Sequence, residues 1–452
     1  MTNETNAQTG NRNATETSFD ADVLVIGAGM AGLTTARTLA EAGLRVLVLE
    51  AQNRVGGRIL TERIGDEVIE LGAEFVHGRP PELLALIEEA GLTLTERDGA
   101  MLSFENGRLT GSGEEEATEE HDDLFSPLSP LEALENLAGP DLSFADFLER
   151  QQIPKEDRLA LIGYVEGYNA ADHHKISALS LGAQQKAEEA IEGDRAFHVV
   201  GGYDQLPEYL ARCVEQHGGA LRADARVQRV EWRAGRVAVA TKQGSFSARQ
   251  AVVTLPLGVL QSGRVVFDPP PGEILEQAGR LQMGQASRIT LHLRERFWET
   301  LPPQPELSQL SFLFTRGGVP SVWWTTHPAP SRTLTGWTGG PRSAKLLGLS
   351  AEALGRLACD RLAAVFRLDA TYVREQMLGC YTHPWQADPN ALGAYSYIGV
   401  GGMDAPERLA EPVADTLYFA GEHTDTTGQW GTVHAAMRSG LRAARQVLAA
   451  RG

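Results

Sequence analysis

VIGAGMAGLTTARTLAEAGLRVLVLE, residues 25–50, holds two apolar runs separated by a glycine-rich turn and an amphipathic segment. Ala21–Ile26 and Arg45–Leu49 are short apolar runs suited to parallel strands covered on both faces. Between them Leu33, Ala36, Leu39 and Ala40 share one helical face, and Gly43 stands where a left-handed cap is needed. The turn reads Gly27-Ala28-Gly29-Met30-Ala31-Gly32. Gly27 permits the tight turn, Gly29 lets backbone approach a pyrophosphate, and Gly32 lets helix pack closely on strand. Met30 and Ala31 open the helix, whose free N–H groups and positive end suit phosphates. Glu50 ends the second strand 18 residues after Gly32, close to the spacing of about 20 at which an acid meets ribose hydroxyls. An acid there disfavours a 2′-phosphate, so the expected ligand is an adenine dinucleotide without one. Ala51-Gln-Asn-Arg-Val-Gly-Gly-Arg58 adds a second glycine pair, ending in Gly57, and an Arg58 suited to bidentate pairing with the pyrophosphate. The turn by itself leaves FAD and NAD both open.

The chain has 452 residues, 41 Lys+Arg against 59 Asp+Glu, and a net charge of −18. At roughly 100–200 residues per domain this allows about two to four domains. Hydrophobic residues at 42% and charged residues at 22% exclude global disorder. The acidic balance argues against nucleic acid or an anionic membrane as partner. Three cysteines, Cys213, Cys359 and Cys380, without a C-x-x-C pair, suit buried thiols in a reducing compartment. Residues 1–18 are polar, lack the apolar core of a signal peptide, and are expected to form a disordered tail. No run of about 18 uncharged apolar residues predicts a membrane helix. The expectation is a soluble, cytoplasmic protein.

Further along, residues 111–123 form an acidic run read as a solvated loop. Residues 141–195 read as helical, with Phe144, Phe147 and Leu148, then Leu159, Ile162 and Val165, at helical spacings. A helix is expected over Gln205–His217, and β alternation over Leu221–Val253. Strands are expected at Ala251–Leu255, Arg288–Leu293 and Thr416–Ala420, and a last helix from about Thr432. The changes of pattern suggest interleaved domains. His173, His174, His423 and His434 lack metal-ligand spacing, so no metal site is expected.

The chain resembles the flavin-containing amine oxidases, the family of monoamine oxidases, polyamine oxidases and flavin histone demethylases. Beyond residues 25–58, the matching stretches are ELGAEFVHG (70–78), VVGGYDQLPEYLA (199–211), VVTLPLGVL (252–260), MGQASRITLHLRERFW (283–298), WQADPNALGAYSY (385–397) and YFAGEHT…GTVHAAMRSGLRAA (418–444). The resemblance implies an α/β fold: a Rossmann-like FAD domain from residues 19–82, 196–270 and 385–452, interleaved with an α+β substrate domain from 83–195 and 271–384.

By resemblance, Gly27, Gly29, Met30, Ala31, Gly32, Glu50, Ala51, Gly57 and Arg58 hold the ADP part of FAD, and Val227 meets the adenine. Gly421 and Glu422 lie near the phosphates and ribityl chain. Gly72, Ala73, Glu74 and Phe75 run along the isoalloxazine, Trp385 packs near it, and Thr432 and Val433 meet its pyrimidine edge. Ala394 stands where covalent members carry the flavin-bearing cysteine, so the FAD is expected to be non-covalent. Tyr395 matches a wall of the substrate site and His77 a contact to the substrate amine. Two positions depart from the family pattern. Arg288 stands where a Lys linked through water to the reactive flavin nitrogen is usual. Gln429 stands at an aromatic position, with Trp430 beside it as a replacement wall. Trp323, Trp324 and Trp337 are read as sheet-core packing, with a cavity wall over the flavin as the sharper alternative.

The implied reaction is oxidative deamination: a neutral amine gives hydride to flavin, O2 accepts the electrons to give H2O2, and water hydrolyses the imine. The alternatives are an L-amino-acid oxidase, which Arg288 keeps open, a flavin-dependent desaturase, and a non-catalytic FAD-bound interaction protein. Oligomeric state and the particular amine stay open.

Overall fold

Val23–Ile26 is apolar at every position and buried at every position, so it needs cover on both faces. It lies at the centre of a five-stranded parallel sheet in the order Ala220–Arg222, Val46–Leu49, Val23–Ile26, Gln250–Val253, Leu417–Phe419. The computed structural model describes residues 19–105, 107–111, 131–315 and 317–451. The expected tail over 1–18, and the acidic run beyond Gly111, lie outside them.

Side chains alternate across this sheet. Val23, Val25, Val46, Val48 and Val252 pack under the helices Met30–Glu41, Gln205–Gln216 and Val433–Ala449. Leu24, Ile26, Leu47, Leu49 and Val253 pack against a second layer built on Val227–Arg233 and Arg236–Thr241. Each fully buried Val or Leu contributes roughly 1.5–3 kcal/mol. The first and last helices approach so closely that a Cβ on Gly440 would lie 2.4 Å from the Ala31 carbonyl oxygen. The central strand has the next strand of the chain, Val46–Leu49, on one side and the sequence-distant Gln250–Val253 on the other, so the sheet order reverses at its C-terminal end. That is the crevice where open α/β sheets bind ligands, and the glycine-rich turn sits there.

A second, seven-stranded mixed sheet runs Met377–Tyr381, Ala286–Leu293, Thr333–Gly339, Val322–Trp324, Leu310–Thr315, Ala100–Glu105, Arg108–Gly111. One face carries Ile289, Leu291, Leu313, Trp323 and Leu334 against the helix Ala351–Phe366. The other carries Arg288, Phe312, Phe314, Trp324 and Trp337 toward a large cavity. The two sheets are tied together where Leu281–Met283 pairs with Ser396–Ile398. The expected interleaved α/β architecture is the one formed.

Some details differ from expectation. The strands are shorter at their ends, beginning at Val23 and Val46, because Asp22 and Arg45 bond each other at the sheet rim. Leu159 is 60% exposed on the helix Lys155–Asn169, whose buried stripe runs through Leu161 and Val165 instead. The Trp-rich segment divides: Trp323 is core, while Trp324 and Trp337 line the cavity. No helix among the described residues is long and apolar enough to cross a membrane.

Candidate functional site

The cavity has a volume of about 1980 Å³, roughly twice the upper end of the usual range of about 300–1,000 Å³ for small-molecule sites. Every candidate cofactor and catalytic residue named from the sequence lines it, except Gly32. Gly32 serves packing: a Cβ there would lie 2.0 Å from the Gly27 carbonyl oxygen. Gly29 is different. Its φ is −80°, open to any residue, and the nearest protein atom to a Cβ there is 4.0 Å away. The space before Gly29 is therefore left for something other than protein, as a phosphate cradle requires.

Glu50 is buried beside this cradle. Its Oε2 accepts from Ala28 N at 2.7 Å and its Oε1 from Gln52 N at 2.9 Å. Burial pushes its carboxyl up, against the pull of those N–H groups. Each oxygen retains a lone pair for a ribose hydroxyl. Arg58 lines the cavity beside the cradle. Its Nη1 is engaged by Glu422 Oε1 at 2.7 Å and by the Ala394 carbonyl at 3.0 Å. Glu422 also accepts from Ser396 Oγ at 2.5 Å and from Gly431 N at 3.2 Å. Burial alone would raise the Glu422 carboxyl, but Arg58, His423 and the Ser396 hydroxyl together hold it below the usual range. Val227 is buried at the cavity edge, on the strand flanking the cradle.

At the chamber end, Glu74 organises a buried cluster that the sequence did not reveal as a unit. Its Oε2 accepts from Arg288 Nη2 and, at 2.9 Å, from Trp324 Nε1. Its Oε1 lies 3.5 Å from His198 Nδ1. Arg288 is 4% exposed and also donates to the Gly72 carbonyl at 3.2 Å. Arg97 is buried next to it, donates to Ser311, and lies 5.1 Å from the Phe75 ring centre. Burial opposes the charge on Glu74, but Arg288, then His198 and Arg97, hold its carboxyl below the usual range. Arg97 and His198 carried no local sequence signal. The antiparallel pairing of Phe75 with His198 brings in His198, and the pairing of Leu94–Glu96 with the same strand brings in Arg97.

Trp385 is buried, donates to the Leu71 carbonyl at 2.8 Å, and stands against Gly72. Tyr395 donates to the Tyr168 carbonyl at 2.7 Å. Thr432 caps the last helix, accepting from Ala435 N, and Val433 begins it. Trp430 lines the cavity while donating to the Asp425 carbonyl at 2.7 Å. Gln429 is buried away from the wall, bonded to Ala187 and Arg438. None of the three cysteines lines the cavity, whereas Ala394 does, so no thiol is available for covalent attachment. Among the described residues no three His, Cys, Asp or Glu side chains form a metal-holding group.

His77 faces the cavity against Phe75 and Tyr168, and burial pulls its imidazole down to about 4. A depressed imidazole adds stability above its unfolded pKa of about 6.5 and loses it as pH falls toward the folded value. Relative to His77→Asn, the wild type is expected to lose stability by up to about 1.4 kcal/mol per pH unit in that window. Urea melts of both proteins from pH 7 to pH 4.5 check this. Parallel curves would show that His77 titrates as a solvated side chain.

The model of flavin-containing amine oxidoreductases matches residues 30–448. Polyamine oxidase 2 of Arabidopsis thaliana is 30% identical over 448 residues, covering 93% of this chain and 87% of that protein. Lysine-specific histone demethylase 1 homolog 2 of Oryza sativa subsp. japonica is 28% identical over 447 residues, 95% of this chain and 57% of that protein. The structure of putrescine oxidase bound to putrescine superposes with a TM-score of 0.79 at 22% identity, covering 95% of this chain and 99% of that one.

Proposed function

The chain belongs to the flavin-containing amine oxidoreductase family, and we propose that it is an FAD-dependent amine oxidase. In this reading it converts a primary or secondary amine, monoamine or polyamine, to the imine while dioxygen is reduced to hydrogen peroxide. The observation that carries the reading is one continuous cavity joining the glycine-rich cradle to an aromatic chamber. When bound along that cavity, FAD supplies the two-electron acceptor.

The remaining tasks fall to this chain's own residues. Phe75, Trp324, Trp337 and Tyr395 wall the chamber. Their burial excludes water and favours the uncharged amine over the ammonium. His77, held neutral by burial, offers an uncharged hydrogen-bonding ring to the amine. Arg288 cannot release a proton, so its part is to position Glu74 and the Gly72 carbonyl. Water then hydrolyses the released imine to an aldehyde and an amine or ammonia.

An amino-acid substrate would need a free cation for its carboxylate. Arg288 is already answered by Glu74, which disfavours the amino-acid oxidase reading. The names of the relatives, polyamine oxidase and putrescine oxidase, favour an amine. Anaerobic titration of the yellow holoprotein with monoamines, polyamines and amino acids tests the proposal. Amines should bleach the flavin band, and in air peroxide should form one for one with amine consumed. Bleaching by amino acids and not by amines would overturn it.

A further inference from the structure

We infer that Arg97 is a positioning residue that sets the charge the chamber accepts: standing behind Phe75 and Phe312, it turns an aromatic wall that would attract an ammonium into one that admits the amine as its free base. This rests on the amine-oxidase reading above and traces the substrate's charge form to a side chain that does not touch it.

An aromatic wall by itself invites cations. Phe75, Phe312, Trp324 and Trp337 line the chamber, and the face of such a ring attracts an ammonium. Here the rings are already engaged by the protein's own cations. The Arg97 guanidinium carbon stands over the Phe312 ring at 4.3 Å from its centre and over the Phe75 ring at 5.1 Å. Arg97 is 8% exposed and does not line the cavity, so it stands behind the two rings that do. Arg288 stands over Trp324 at 5.4 Å. A guanidinium over a ring draws the π density toward itself, and its own charge repels a second cation brought to the other face.

The charge of Arg97 has no carboxylate of its own. Among the described residues it donates to the Ser311 carbonyl at 2.8 Å, to Ser311 Oγ at 2.9 Å and to His198 Nε2 at 3.0 Å, all neutral acceptors. Burial pulls the His198 imidazole down to about 4, which keeps it uncharged. Glu74 acts on Arg97, yet Glu74 is bonded to Arg288, so two guanidinium groups share one carboxylate. Glu70, bonded to Thr61 and to the Tyr203 N–H, acts on Glu74 and Arg288. On the cavity side His77 meets the edge of Phe75 and is neutral. Burial pulls the Arg97 guanidinium down to about 10, which leaves it charged at neutral pH. Its placement is set by the strands that present the rings. Leu94–Glu96 pairs with the strand carrying His198, which pairs with Phe75, and Ser311 adjoins Phe312 on Leu310–Thr315.

The test compares two ligands of one shape, choline and 3,3-dimethylbutan-1-ol, which differ by a quaternary nitrogen where the alcohol has a carbon. Anaerobic calorimetry on the flavin-loaded protein reads the ratio of their Kd values in the wild type, Arg97→Met, Arg97→Gln and Arg97→Lys. Met keeps an apolar chain against both rings, Gln keeps a donor for Ser311, and Lys keeps the charge. A general loss of packing weakens both ligands and does not move the ratio. The wild type should bind the neutral alcohol more tightly. Arg97→Met and Arg97→Gln should each shift the ratio toward choline by on the order of tenfold, and Arg97→Lys should stay near the wild type. A ratio unmoved by both uncharged variants, a wild type that prefers choline, or either ligand bound by none of the four proteins overturns the proposal while leaving the oxidase. A ratio that shifts as expected in a protein whose flavin no amine bleaches overturns the oxidase reading and leaves the charge-selective wall.

Discussion

Gly29→Val is expected to fold and to lose its flavin. The φ of −80° at Gly29 suits valine, and no protein atom lies within 4 Å of the new Cβ apart from the Gly56 carbonyl at that distance. The folded chain therefore has little reason to object. The branched methyl groups enter the space in front of the helix N-terminus, where the pyrophosphate must meet backbone N–H groups. Affinity for FAD should fall on the order of a thousandfold, about 4 kcal/mol. Absorbance at the flavin band after gel filtration, with circular dichroism as the folding control, reads the result. Gly32→Val makes the contrast: its side chain collides with Gly27 and should cost folding itself. A yellow, fully loaded Gly29→Val protein would mean that the cradle lies elsewhere.

Glu74→Ala is the second large effect. It leaves Arg288 and Arg97 buried side by side with no carboxylate between them. Removing one partner of a buried pair costs about 3–5 kcal/mol, because the remaining charge stays in a poor solvent. Denaturant unfolding should show a loss of that size in Glu74→Ala. Adding Arg288→Met should recover much of it, since an apolar replacement for a buried pair is often neutral. A single-variant loss below about 1 kcal/mol would mean that water reaches Arg288 and screens it.

Much of the cradle is local and was legible. Gly27, Gly29, Gly32 and Glu50 act through turn geometry, helix-end polarity and spacing, all of which are written within one β-α-β unit. The chamber is not local. The Trp-rich strands showed no sign of which face each residue takes. Period-two alternation sends Trp323 to the core and Trp324 to the cavity only once the helix Ala351–Phe366 covers one side. The partner of Arg58 was not legible for the same reason, because Glu422 lies 364 residues away.

Sequence by itself thus determined the fold class, the glycine-rich turn at the sheet's switch point, and the family to which the chain belongs. Tertiary structure decided the charge pairing of the interior: that Glu74 meets Arg288 and that Glu422 meets Arg58. Turn and strand preferences depend on neighbours along the chain. The charge of a buried group depends on neighbours in space, and those are fixed only when the sheets close around the cavity.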